Sequence, residues 1–307
     1  MSISNSLAHV FRKQASFTLG DAYAAVPDVK KHSVRARIYE GIKSGAFRRV
    51  SRGVFAVTYV QDGEENTCVL IQGNGRDLSA IPDESVDCIV TDHPYAITGQ
   101  LKGGNRDFAS YDLFQYTERD IREKARVLKP GCFLVEFLPE ESAENFTYLT
   151  AVKQAMLRCG LEYYAKVPWI KEGFVANTGR KSKNAEDLLF FTKGRSRALR
   201  PDAKKDKADP SVPHYMSGAA GMLPAQFVYP PPSRSGRIHQ AEKPLELLRA
   251  VLRYVTLPGE LVLDQFAGSG VLGEACALEK RDAILIEKDP GYAAAIAARL
   301  GLLPVAA

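Results

Sequence analysis

No stretch of the chain approaches the ~20 consecutive apolar residues that a membrane-spanning helix requires, which excludes a helical membrane protein. The first residues, MSISNSLAHVFRKQ, lack the apolar core and cleavage pattern of a secretory signal, so secretion is not expected. Cysteine is scarce. Cys68, Cys88, Cys132, Cys159 and Cys276 are odd in number, far apart and never in a CxxC arrangement. That spacing argues against a disulfide framework or a zinc site and fits a reducing cytoplasm. No Gly-Lys-Ser/Thr occurs, so a P-loop is absent, and no internal repeat is evident. What remains is an ordinary soluble composition: 307 residues, 45% hydrophobic and 25% charged, enough for two domains or one large domain with an appendage.

Charge is unevenly spread. The net charge is +5, yet residues 1–60 carry ten Lys/Arg against three Asp/Glu, and residues 166–209 carry twelve against six. The rest of the chain is therefore acidic. One basic cluster is as readily a solvated surface as a binding face. Two clusters on an acidic body suggest a polyanion partner, because neutralising phosphates releases their counterions.

The first ~60 residues read as a separate unit by pattern and charge. Leu7–Arg12 is a short helical candidate, Thr18–Val26 a second with Thr18 as N-cap, and Ser33–Lys43 a third, with Val34, Ile38 and Ile42 on one face. Phe47–Val57 then reads as two strands about a Ser51–Gly53 turn. Three helices and a basic hairpin resemble a winged helix-turn-helix, in which Arg35, Arg37, Arg48, Arg49 and Arg52 face DNA. A basic protein-docking unit is the alternative. Gln61–Asn66 is polar and reads as a linker.

From Thr67 on, apolar runs alternate with helical patterns, the mark of an α/β sheet. Seven strands are expected, at Cys68–Gln72, Asp87–Thr91, Cys132–Leu138, Tyr163–Ile170, Asp187–Thr192, Leu261–Phe266 and Ala283–Glu287. Helices are expected at Thr117–Leu128, Ser142–Cys159, Pro244–Val255, Val271–Glu279 and Gly291–Leu300. Residues 195–237 break the rhythm and read as an inserted loop region.

Two motifs carry chemistry. In the first, a strand ends in Asp264, and Gly268, Gly270 and Gly273 form GxGxxG as a helix begins; a second strand then ends in Glu287. Such a turn lets the backbone approach a nucleotide closely while the acid takes the ribose hydroxyls, which suits NAD, FAD or S-adenosylmethionine. Only 34 residues follow Gly273, so most of the sheet precedes the glycine loop and the order is permuted relative to a dehydrogenase. In the second, the run SVDCIVTDHPYAIT opens from a strand into Asp92-His93-Pro94-Tyr95.

That tetrad resembles the (D/N/S)PPY element of methyltransferases acting on exocyclic amines of DNA bases. His239-Gln-Ala-Glu-Lys243-Pro244 resembles the family's HxxxKP element, directly before the glycine loop. The order of tetrad, variable region, HxxxKP and glycine loop is that of the β class, and the likeness covers about residues 67–300. It implies an α/β fold with a Rossmann-like methyltransferase sheet of about seven strands over 61–307. The insert at about 195–237 takes the place of the target-recognition region, and the small winged-helix-like domain, residues 1–60, precedes the sheet.

The resemblance implies S-adenosylmethionine as cofactor and double-stranded DNA as substrate. Asp92 and the carbonyl of His93 accept hydrogen bonds from the target amine, Pro94 stiffens the loop and Tyr95 stacks on a flipped base. Phe266, Ala267, Gly268 and Gly270 line the cofactor, Glu287 binds its ribose, and Asp77 lies near its adenine. Asp264 binds the methionine ammonium, with His239 and Lys243 nearby. Arg180, Lys181 and Lys183 approach the DNA backbone.

Position 93 is His where the family usually has Pro, which points to a looser loop, an added hydrogen bond, an altered base preference or lost activity. The expected activity is adenine-N6 methylation. Cytosine-N4 methylation and a catalytically impaired DNA-binding regulator are the alternatives. A bacterial or phage cytoplasm, a homodimer and a restriction endonuclease partner accord with the family, and the sequence establishes none of them.

Overall fold

In a computed structural model of the chain, the described residues are 7, 17–43, 47–51, 54–62, 66–96, 113–173, 184–200, 204–205, 213–214, 221–233, 237–239 and 241–304. Of the first expected helix only Leu7 is among them, helical and buried. β1 (Phe17–Thr18) leads into α1 (Leu19–Ala25), which opens on a reciprocal cap. The Asp21 amide donates to Thr18 Oγ1 at 3.2 Å, and the Thr18 amide donates to the Asp21 carboxylate at 2.8 Å. α2 (Lys31–Lys43) buries Val34 and Ile38, the i, i+4 pair that faces inward.

β2 (Phe47–Ser51) and β3 (Val54–Asp62) form the expected hairpin, but β3 is longer than its pattern suggests. Its first half pairs with β1 and β2. Its second half, Thr58–Asp62, pairs antiparallel with β4 (Thr67–Gln72). Gln61 and Asp62 thus lie in a strand rather than in a linker, because their backbones are paired with Cys68 and Thr67.

The remaining elements in chain order are β5 (Val86–Thr91), α3 (Glu118–Val127), β6 (Leu128–Pro139), α4 (Phe146–Arg158), β7 (Leu161–Lys171) and β8 (Ala185–Lys193). They continue with β9 (Lys204–Lys205), β10 (Pro213–His214), β11 (Phe227–Tyr229), α5 (Leu245–Val255) and β12 (Leu261–Asp264). α6 (Val271–Leu278), β13 (Asp282–Glu287), α7 (Pro290–Leu300) and β14 (Leu303–Pro304) complete the elements among the described residues. Among the described residues no helix is long and apolar enough to cross a membrane.

The central sheet runs β4-β13-β12-β5-β6-β8-β7-β11. The first five strands are parallel, β8 is antiparallel to both of its neighbours, and β11 lies parallel to β7. β11 is an eighth strand inside the region expected to be loop. All seven expected strands are present.

Apolar side chains of α5, α6 and α7 cover one face and those of α3 and α4 the other. The strands between them are apolar on both faces, as a doubly covered parallel sheet requires. The crossover from β12 leads one way, to β13, and that from β5 leads the other way, to β6. The carboxyl ends of β5 and β12 therefore flank the switch point where open α/β sheets bind ligands.

Candidate active site

Two acids meet at that switch point. Asp264 is the last residue of β12, and Asp92 follows the last residue of β5. Thr91 Oγ1 donates to Asp264 Oδ1 at 2.9 Å, and the Phe266 amide donates to the same oxygen at 3.1 Å. Burial pushes the Asp264 carboxyl up to about 7, against the pull of those two donors.

The turn after β12 brings the glycine loop round. The Gly268 amide donates to Glu287 Oε2 at 2.8 Å, tying the loop to the end of β13. Gly270 has φ +73°, and a Cβ there would stand 2.6 Å from an Ile296 methyl, so the helix start tolerates only glycine. Glu287 also accepts from the Asp289 amide at 2.8 Å, yet burial still raises it to about 7.

These elements line one cleft at the carboxyl ends of β5 and β12. Of the residues singled out from sequence, Asp92, His239, Lys243, Asp264, Phe266, Ala267 and Gly268 line it. Gly270 and Glu287 do not line it, although Glu287 holds the amide of the lining residue Gly268. His239 stacks edge-on against Tyr292, with ring centroids 4.9 Å apart, and accepts from the Ala241 amide. Burial and the Lys243 ammonium hold its pKa below the usual histidine value.

Asp77 is not among the lining residues. Its Oδ1 accepts from the amide and hydroxyl of Ser79 in the turn after β4. The same turn presses Gly75 against Gln265, whose side-chain amide donates to the Gly75 carbonyl at 2.8 Å.

Lys243 sits among carboxylates rather than alone at the cleft wall. Its Nζ is 2.6 Å from Asp92 Oδ2 and 2.8 Å from Glu186 Oε2, and Lys171 holds the other Glu186 oxygen at 2.6 Å. Burial raises the Asp92 pKa, and Lys243 opposes that rise. Burial also acts to raise Glu186, but the two flanking ammoniums outweigh it and bring the carboxyl down to about 2. Lys243 in turn is stabilised as a cation, its burial more than offset by Asp92 and Glu186. The sequence alone does not single out Glu186, which reads there as an ordinary charge at a strand start.

His93 is buried, and both of its ring nitrogens are engaged inside the protein. Nδ1 lies 2.8 Å from Glu136 Oε1, and Nε2 hydrogen-bonds the Tyr148 hydroxyl. Glu136 also receives Lys124 Nζ at 2.6 Å and the Tyr116 hydroxyl at 2.9 Å. Lys124 and Glu136 are both buried, and Lys124 and His93 together more than offset the burial that would raise the glutamate. Beyond His93, the chain is stitched down by backbone bonds. The Phe114 amide donates to the Pro94 carbonyl, and the Ala96 amide donates to the Phe114 carbonyl. Tyr95 thereby forms an isolated bridge with Phe114.

The donor set fits a cationic, hydroxyl-bearing cofactor. Of two buried carboxylates pushed to about 7, Asp264 lines the cleft and Glu287 holds the Gly268 amide of the glycine loop, and a ligand bringing an ammonium and hydroxyls stabilises their ionised forms. Away from the cleft, Arg35, Arg37 and Arg49 are exposed, with Arg37 paired to Glu40, and Arg48 lies in β2 opposite Ala56. Arg52, Arg180, Lys181 and Lys183 fall outside the described residues.

Residues 86–298 match the model of a DNA methylase family of the N6/N4 type. The chain is 23% identical over 220 residues to the type II methyltransferase M.HpaI of Haemophilus parainfluenzae, covering 70% of this chain and 68% of that protein. It is 24% identical over 271 residues to the type II methyltransferase M.PvuII of Proteus hauseri, covering 72% and 80%. The solved PvuII DNA methyltransferase, described as cytosine-N4-specific, superposes with a TM-score of 0.56 at 18% identity, over 76% of this chain and 86% of that one. A structure of M1.HpyAVI in complex with SAM gives 0.51 at 20% identity, over 72% and 90%.

Proposed function

The chain belongs to the DNA methylase family whose model spans most of it, and on that premise we propose that it moves a methyl group from S-adenosylmethionine to the exocyclic amine of an adenine flipped out of double-stranded DNA. The observation that carries the reading is the meeting of Asp264 and Asp92 in one cleft at the switch point of the sheet. One acid is placed for a cofactor's ammonium and the other for a substrate's amine.

S-adenosylmethionine, when bound, supplies a methyl group made electrophilic by the positive sulfur that carries it. Asp264 would hold the ammonium end, Glu287 the ribose hydroxyls, and the Phe266–Gly268 backbone would wall the cofactor in. The exocyclic amine is a poor nucleophile because its lone pair is delocalised into the ring. Asp92 Oδ1 and the His93 carbonyl accept hydrogen bonds from it, which frees the lone pair and aims it. Lys243 holds Oδ2, leaving Oδ1 to the amine. Methyl transfer would leave the donor as a neutral thioether and release an amine proton, which Asp92 Oδ1 is placed to take. Burial, which raises the Asp92 pKa, makes that oxygen a better proton acceptor than an exposed carboxylate.

A base inside a duplex is out of reach of this cleft, so the target is flipped out, with Tyr95 as its stacking face. Asp at the head of the tetrad favours adenine. That the matched relatives are type II methyltransferases supports a role in restriction–modification, with a restriction endonuclease as partner. The N-terminal unit, with Arg35, Arg37 and Arg49 exposed, supplies part of the DNA grip.

The deciding experiment is nucleoside mass spectrometry on unmodified DNA incubated with the protein and isotopically labelled S-adenosylmethionine. Label on the adenine amine is the expected result. Label on the cytosine amine keeps the mechanism and changes the base. Cofactor binding without label on varied DNA would replace the enzyme reading with that of a regulator.

A further inference from the structure

Resting on the methyltransferase reading, we propose that the His93 side chain is a positioning group: an internal strut that holds the Asp92–Tyr95 loop in place, as a rigid ring at this position would, the imidazole itself making no contact with the target base. The ring has nothing left to offer a base. Glu136 is a carboxylate paired with Lys124, so it can only accept, and His93 Nδ1 must therefore carry a proton and donate to it. On a neutral ring Nε2 then accepts from the Tyr148 hydroxyl.

The partners come from three separate elements. Glu136 is on β6, Lys124 on α3 and Tyr148 on α4, so the loop is fixed to the body of the domain and not to its own strand. The Tyr116 ring packs on the imidazole with centroids 3.8 Å apart and donates its hydroxyl to Glu136, closing the network. Tyr116 also continues the segment whose Phe114 pairs with Pro94 and Ala96. Hydrogen bonds and backbone pairing thus constrain the residue on each side of Pro94. A side chain exposed to the cleft for base recognition would not be buried and bonded at both nitrogens.

Hydrogen exchange and methyl transfer test the strut separately. His93→Ala should speed exchange in peptides spanning Val90–Ala96 about tenfold or more by freeing the loop. It should also slow single-turnover transfer about 10- to 100-fold through misplacement of the acceptors, with the cofactor Kd within about threefold. His93→Pro, which stiffens the backbone without any hydrogen bond, should recover most of both effects. Tyr148→Phe keeps the imidazole and removes one partner, so it should give the same changes in smaller measure even if the alanine variant folds poorly. Wild-type exchange and transfer in His93→Ala, or a proline variant as loose as alanine, would overturn the strut. If the wild-type protein leaves DNA unlabelled while His93→Ala still loosens the loop, the strut stands and the methyltransferase reading falls.

Discussion

Lys243 Nζ lies 2.6 Å from Asp92 Oδ2, so the acid expected to receive the target amine already shares one oxygen with a buried cation. The lysine orients the carboxylate and limits how far burial can raise its pKa. It is itself fixed by Glu186, which Lys171 secures from the other side.

Asp92→Ala should abolish transfer while leaving cofactor affinity within about threefold, since the carboxylate serves the target amine and not the cofactor. Isothermal titration with S-adenosylmethionine and a labelled-methyl assay check the two halves. Equal activity in the variant would remove Asp92 from the site.

Lys243→Met takes away the charge that opposes burial at Asp92. The carboxyl should then titrate higher still, moving the acid limb of the rate–pH profile towards alkaline pH and cutting transfer at neutral pH about tenfold or more. A profile identical to wild type would separate Lys243 from the acceptor.

Asp264 and Glu287 lie near 7 in the folded protein, against ordinary values of 3.8 and 4.5. The folded state therefore binds more protons than the unfolded state across that interval, and the ligand-free protein should lose stability as pH rises from about 4 to about 7. Cofactor affinity should move the other way, tightening as pH rises through 7, because an ionised Asp264 is what an ammonium seeks. Thermal unfolding and titration at pH 5.5, 7 and 8.5 measure both, and Asp264→Asn should flatten the two trends.

Charge reversal at Arg35 and Arg37 should weaken DNA binding and reduce the slope of log affinity against log salt by about 0.9 for each phosphate no longer neutralised. Binding measured from low to moderate salt gives the slope directly. Unchanged binding would take the N-terminal unit out of the DNA interface.

Gly75→Ala should destabilise the fold by about 1–3 kcal/mol, the usual cost of overpacking. A Cβ at Gly75 would fall 1.8 Å from the Gln265 carbonyl oxygen, and that backbone adjoins Asp264. Cofactor binding should weaken along with the melting temperature.

Strands such as Cys132–Leu138 were legible because a centrally buried strand reads as one apolar run, and the glycine loop because its turn demands glycine. β11 was not. Three residues before a run of prolines give no periodicity to count, and only pairing with Trp169–Lys171 makes Phe227–Tyr229 a strand. The tetrad was legible as a motif, but the anchoring of its histidine was not, since Lys124, Tyr116 and Tyr148 meet only through tertiary packing. One signal was available: Glu136 stands inside the apolar run Cys132–Leu138, and a carboxylate buried there demands a partner. Glu186 gave no comparable sign, because a charge at a strand end is ordinary.

β3 belongs to two neighbourhoods at once, and this decides how the protein can be dissected. Cutting near residue 60 would divide a single strand, strip β4 of the partner it has along Thr67–Ile71 and leave a row of unpaired amides and carbonyls ready to recruit another chain. β14 docks on the same strand through Leu303 and Pro304, so a segment near the C-terminal end also loses its footing with the cut. A fragment meant to keep the catalytic sheet soluble has to begin before Val54, carrying the whole of β3 with it.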